Sequence, residues 1–276
     1  MASHGQTIHT PAELFGREKA VIGMVHAGAM PGTPYAAAAP RDIADAAAKE
    51  AATLAEAGFD AIIVENMHDR PYVHGRQDAA VVAGMTLAVA AVRAAVACPL
   101  GVQVLSGGEQ EALAIANACG ASFIRCENFA FAHVADEGLL TEAAAGRLLR
   151  YRRSIGAEHV AICCDVKKKH ASHSITADVS LGEAVHAFVF FGADAVIVSG
   201  GFTGTATSAA DIAEARSATK LPVLVGSGVE PGSVASLFEH ADGLIVGSYI
   251  KTDGVWSNGI DATRCREIVA AANDCR

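Results

Sequence analysis

The chain reads as a single (β/α)8 barrel. Three observations predict it: eight short, nearly continuous apolar runs recur along the sequence, helical patterns alternate with them, and no linker or shift of composition divides the 276 residues. A run apolar on both faces marks a strand of a parallel sheet, because helices cover it front and back. An open, doubly wound sheet shares that alternation and is the competing reading. Against it, the turn after the first run, "HAGAMPGTP" (26–34), lacks the G-x-G-x-x-G spacing that brings a backbone close to a dinucleotide.

The elements follow in order. An N-terminal extension of about residues 1–19 precedes "AVIGMVH" (20–26). The Ala-rich stretch "DIADAAAKEAATLAEAG" (42–58) has helical spacing and stops at Gly58, a residue that takes the left-handed conformation a helix end requires. "DAIIVEN" (60–66), "PLGVQVL" (99–105) and "SFIRCEN" (122–128) are the next three strands, with Gly120 closing the helix before the last of them. "HVAICCDV" (159–166) leads to the helix "SLGEAVHAFVFFG" (180–192), and "DAVIVSG" (194–200) to "DIAEARSAT" (211–219). "PVLVGSG" (222–228) and "GLIVGS" (243–248) complete the eight.

Composition narrows the function. A net charge of −9 and a pI near 5.6 argue against binding a phosphate backbone, which needs a basic face; Lys167-Lys168-Lys169 is too short a run to supply one. No uninterrupted apolar stretch reaches the length of a membrane span, and the N-terminus has no basic segment followed by an apolar one, so a cytoplasmic protein is expected. The seven cysteines, at 98, 119, 126, 163, 164, 265 and 275, form no C-x-x-C pair and sit mostly in apolar segments, where the thiol behaves as a small hydrophobe. A homo-oligomer is expected.

Barrel active sites form where strands end, and these ends are polar. In "GFDAIIVENMHDRPY" the second strand runs straight into Glu65, Asn66, His68 and Asp69. The first ends on His26, the third near Gln103, the fourth on Glu127 and Asn128, and the sixth at Ser199. The fifth ends on Asp165, with Lys167 and His170 close behind. Two carboxylates sharing one dry mouth repel each other, which raises one pKa and makes Glu65 and Glu127 acid/base candidates. Their structural alternative is a salt bridge to Arg70 or Arg125. Asp165 could serve as a base or a metal ligand, Lys167 could hold an anionic substrate, and His26 joins them as a catalytic candidate. An imine-forming lysine is disfavoured, because three consecutive lysines read as solvated and such an amine must be desolvated. Asn66, His68, Asp69, Gln103, Asn128, His170, Ser199 and Thr203 are candidates for substrate contact. His26, His68, His170 and His173 with Asp165 and Glu65 could also hold a divalent metal, although no H-x-H or H-E-x-x-H spacing supports one. The histidines at 4, 9, 74, 133, 159, 186 and 240 read as structural.

The last strands end in small residues. "VGSGV" (225–229) precedes a helix start at Pro231, and "VGSYI" (246–250) follows the eighth strand. Gly226, Ser227, Gly228, Gly247 and Ser248 would let backbone N–H groups approach a phosphate, helped by the helix that follows. "SGGFTGTAT" (199–207) adds Gly200, Gly201 and Thr203 as a third wall. The alternative is that these glycines only make tight turns.

"VIGMVHAGAMPGTP", "GFDAIIVENMHDRPY", "FIRCENF", "DAVIVSGGFTG" and "GSGV" with "ADGLIVGSYIK" resemble the BtpA family, which includes SgcQ-like proteins, over about residues 20–270. The resemblance implies a ribulose-phosphate-binding type of barrel. The family's cyanobacterial founder is linked to photosystem I biogenesis, and the family carries no agreed reaction; the resemblance leaves the role of "DVKKKHASH" (165–173) open. The expectation is therefore an enzyme acting on a phosphorylated sugar or ribose-phosphate-like metabolite by proton transfer, as isomerase, epimerase or lyase. A non-catalytic stabilising factor for a membrane complex, and a hydrolase or phosphorylase at a ribosyl bond, are the alternatives.

Overall fold

In the computed structural model, which describes residues 9–276, α1 (Pro11–Phe15) precedes β1 (Ala20–His26), α2 (Pro40–Ala57), β2 (Ala61–Glu65), α3 (Ala79–Ala95) and β3 (Leu100–Gln103). Next come α4 (Glu109–Cys119), β4 (Phe123–Cys126), β5 (His133–Ala135), β6 (Gly138–Leu140), α5 (Ala145–Ser154), β7 (Ala161–Asp165) and β8 (Ala171–Ser172). The chain continues through α6 (Leu181–Phe191), β9 (Ala195–Val198), α7 (Ala209–Ala218), β10 (Val223–Val225), α8 (Val234–Leu237), β11 (Gly243–Val246) and α9 (Ala262–Asn273). Residues 1–8, and with them His4 and the start of the N-terminal extension, lie outside the described residues.

The sheet closes on itself in the order β1-β11-β10-β9-β7-β4-β3-β2, all pairs parallel. These strands are the eight apolar runs. Side chains alternate across each strand, so Ile22, Met24, Ile63, Phe123, Cys163, Ile197, Leu224 and Ile245 fill the barrel. Their neighbours Val21, Val25, Val64, Ile162, Cys164 and Val196 pack outward under the helices. Cys163 and Cys164 thus belong to opposite faces, and all seven cysteines are free.

Part of the N-terminal extension has a structural task. Thr10 and Glu13 form a capping box on α1, Gly16 (φ 83°) ends it, and Leu14 and Phe15 enter the barrel's inner cluster. Phe15 meets Phe123 edge to face at 5.3 Å, and Gly101 leaves room for the Phe123 ring. Since Phe123 opens β4, α1 plugs the end of the barrel opposite the polar strand ends. Phe15→Ala should destabilise by about 3–5 kcal/mol, read as a fall in Tm of roughly 10 °C. A fall below 2 °C would mean the plug contributes nothing.

A three-stranded antiparallel sheet, β6-β5-β8, was not legible from periodicity, because strands of two or three residues show no alternation. Its segments come from the loops after β4 and β7, and β5 is the central strand. Among the described residues no helix is long and apolar enough to cross a membrane.

Candidate active site at the barrel mouth

Strand register sets the first side of the site. His26, Glu65 and Gln103 are aligned on β1, β2 and β3 as the last residues of those strands, and alternation turns them inward. His26 is buried, and its Nδ1 donates to the carbonyl oxygen of Trp256 at 2.9 Å. A carbonyl only accepts, so the proton is on Nδ1. Nε2 is left as an acceptor, 3.7 Å from Glu65 Oε2. Burial first, and then the charge of Lys251, lower the His26 pKa to about 3, so the ring is neutral at physiological pH. Burial raises the Glu65 carboxyl to about 7, although Arg125 and Lys169 pull it down. A group half-protonated near neutrality can both give and take a proton.

Arg125, read from the sequence only as a structural partner for a glutamate, lies at the centre of the mouth. Its Nε and Nη2 each donate to an oxygen of Asp165 at 2.7 Å, a bidentate pair buried on both sides. Asp165 is therefore committed to Arg125, which weakens its reading as a free base. A Cβ at Gly226 would come within 3.1 Å of Nη2, so that glycine makes space for the guanidinium. Neither expected glutamate bridge forms. Glu127 Oε1 lies 3.6 Å from Lys168 Nζ, and Arg70 stacks over the rings of Trp256 and Tyr35 at 4.7 and 5.6 Å.

The three lysines are not uniformly solvated, contrary to the reading of the run. Lys167 donates to the carbonyl oxygen of Val179, and it lines a separate small cavity with Glu127 rather than the one that holds Glu65. Lys168 is buried between Glu127 and Glu137, at 3.6 and 4.0 Å. Lys169, partly buried, lines the mouth cavity beside Glu65 and Arg125. Burial and then Arg125 lower its pKa, opposed by Glu65 and Asp165.

That cavity measures about 150 Å³ and runs from His26 and Glu65 to the loops after β10 and β11. At the loop end, the backbone N–H groups of Gly228, Val229, Ser248 and Tyr249 find no acceptor among the described residues. Arg264, in the first turn of α9, borders the same end with its guanidinium 4.2 Å over the Tyr249 ring. The sequence hides Arg264, since it sits in a helix well after the last strand.

The predicted glycine wall divides into distinct roles. Gly200 N–H donates to Ser227 Oγ, which in turn donates to Thr205 O, so this donor and the Ser227 hydroxyl join two loops. Gly226 N–H is used by Val198 O, and Gly201 is outside the cavity, its carbonyl accepting from His170 N–H. Gly228 has φ +67°, and a Cβ there would lie 2.4 Å from Ala206 Cα. Replacing it would disrupt the loop before testing any anion. Gly247, Ser248 and Thr203 do line the cavity. The helix expected at Pro231 is a 3₁₀ turn followed by the four-residue α8, too short for a sizeable dipole.

Several candidates position loops instead of facing the cavity. Asn66 donates to Asp69 at 2.8 Å and accepts from Leu105 N–H, while Asp69 accepts from Met30 N–H at 2.6 Å. His68 packs on Trp256 with ring centroids 5.1 Å apart. His170 Nε2 accepts from Thr203 N–H at 3.1 Å, and its Nδ1 faces Asp136 at 3.2 Å, linking the loops after β7 and β9. Gln103 Oε1 and Ser199 Oγ are buried without hydrogen-bond partners among the described residues. Asn128 donates to Glu142 O and lines a separate, larger cavity, on the side of the barrel. Among the described residues no three His, Cys, Asp or Glu side chains converge as metal ligands, so the histidine and carboxylate set considered as a possible metal site is not assembled.

Comparison with known proteins agrees with the fold. The model of the BtpA family matches residues 17–274. An uncharacterized mitochondrial protein of Caenorhabditis elegans is 42% identical over 258 residues, 92% of each chain. The photosystem I biogenesis protein BtpA of Synechocystis is 37% identical over 261 residues, 94% of this chain and 90% of that one. Among solved structures, (S)-3-O-geranylgeranylglyceryl phosphate synthase from Thermoplasma acidophilum, in complex with sn-glycerol-1-phosphate, aligns with a TM-score of 0.62 at 16% identity, covering 96% of this chain and 97% of its own. That likeness is one of fold. The family match takes in all eight barrel strands together with the polar strand ends of the mouth, and the chain belongs to the BtpA family.

Proposed function

We propose that this chain is an enzyme acting on a small phosphorylated sugar, or a ribose-phosphate-like metabolite, by proton transfer. One observation carries the reading: a single cavity of about 150 Å³ joins a carboxyl with a pKa near 7 to a wall of unpaired N–H groups and Arg264. Unpaired donors with a guanidinium suit a phosphate, and Glu65 suits movement of a proton on the carbon skeleton attached to it. The volume fits a phosphate with a short chain of carbons. Binding of glycerol phosphate by a barrel of the same fold agrees by analogy. The assembly-factor reading follows the name of the Synechocystis relative and gives the cavity no task. Ribosyl-bond cleavage would use Glu65 to support a positive centre and shares the phosphate end.

The test is thermal shift with sugar phosphates, the same sugars without phosphate, and inorganic phosphate. Sugar phosphates at 100 times their Kd should stabilise by about 2.7 kcal/mol, a rise of several °C. Arg264→Met should weaken their binding roughly 10–100-fold, the usual loss of a charge-assisted contact. Equal stabilisation by unphosphorylated sugars, or no stabilisation, would overturn the phosphate reading.

A further inference from the structure

The run Lys167-Lys168-Lys169 contributes one residue of its three, Lys169, to the lining of the mouth cavity. Around that residue, the other mouth cation and the next lysine are already committed. Arg125 is held bidentately by Asp165, and Lys168 lies between Glu127 and Glu137. Among the described residues Lys169 forms no hydrogen bond or ion pair that would restrain it. Lys169 lines the cavity with Glu65 and Arg125, and the charges that act on it are those of Arg125, Glu65, Asp165 and Glu127. A phosphate seated on the loops after β10 and β11 would thus leave Lys169 beside the carbon chain.

We propose that Lys169 is the nucleophile of this site, condensing with the carbonyl carbon of a phosphorylated sugar to form an imine. The proposal rests on the phosphosugar reading above and deepens it, restricting the substrate to an aldehyde or ketone. The Lys169 lone pair attacks the carbonyl carbon, and Glu65, 3.7 Å from His26 at the same end, protonates the oxygen as the C–O π bond breaks. The carbinolamine then loses its hydroxyl as water while the nitrogen pair forms C=N. In sum, amine, carbonyl and one proton give an iminium and one water. The iminium accepts the electron pair of a neighbouring C–H or C–C bond, and the Glu65 carboxylate is placed to take the proton released. Glu65 returns a proton to the enamine carbon, which restores the iminium, and water then adds to the C=N carbon, reverses the condensation and frees Lys169. The neighbouring guanidinium and the partial burial favour the neutral amine that this requires.

Borohydride trapping tests this on the intact protein. The probes are dihydroxyacetone phosphate and ribulose 5-phosphate, each with sodium borohydride, read by intact mass and peptide mapping beside the thermal shift. The expected result is an adduct of the sugar phosphate less one oxygen atom, on Lys169 and not on Lys167 or Lys168. Lys169→Arg keeps the charge and cannot form an imine. It should lose the adduct completely while the phosphosugar still raises its Tm. Stabilisation without an adduct, or an adduct that persists in Lys169→Arg, would overturn the imine and leave the phosphate reading standing. Neither stabilisation nor adduct would remove both.

Discussion

Glu65→Gln is expected to lower turnover of the stabilising phosphosugar by about 10²–10⁴, the usual contribution of a positioned acid/base, while raising Tm at pH 8. The two effects have one cause. Burial raises the Glu65 carboxyl from 4.5 to about 7 in the folded protein. Between those values the unfolded chain has released a proton that the folded chain keeps, so stability declines as pH rises through this window. Above pH 7 the whole penalty is present, at most about 3 kcal/mol for a shift of this size. Gln has no proton to lose, and its amide can donate to the free Nε2 of His26. The variant should therefore melt several °C above the parent at pH 8 and level with it at pH 4. A stable Glu65→Gln protein with full turnover would remove Glu65 from the mechanism. A variant that melts early at every pH would assign the side chain a packing role instead.

Arg125→Met should have an effect on stability as large as that of Phe15→Ala. It strands Asp165, 2% exposed, without a counterion, and breaking one side of a buried pair costs about 3–5 kcal/mol. Replacing both partners by apolar groups, Arg125→Met with Asp165→Leu, should recover most of that loss, since no charge is left behind. Urea denaturation of the two single variants and the double variant measures the difference. Simple addition of the single effects would show that the pair is not coupled. The double variant also separates stability from chemistry, because Arg125 lowers the Glu65 pKa. Without it, the pH profile of any turnover should shift upward.

The barrel was legible because its strands are buried on both faces and so write themselves as apolar runs. The site was legible only by position. Glu65 and His26 stand at strand ends, where the fold puts chemistry, and the structure brings them within 3.7 Å. The sequence could not show which polar neighbour each strand end would take. Asp165 reads as a free carboxylate until Arg125, 40 residues earlier, is found against it. Likewise "KKK" looks uniformly wet, yet a positive φ at Lys167 and the turn to His170 distribute the three amines among different surroundings. Glycines were the most misleading signal. A small residue near a strand end can admit an anion, an arginine or another loop, and only the surrounding atoms decide which.

Closing the barrel through β1 and β11 has a consequence during synthesis. Ala20 pairs with Gly243, about 220 residues later in the chain. At 5–20 residues per second, β1 leaves the ribosome roughly ten to forty seconds before its second partner exists. Until then one edge of β1 has nothing to bond to, and the apolar interior that Leu14 and Phe15 cover is incomplete. Throughout that interval the open β1 edge is a place where the nascent chain can pair with others.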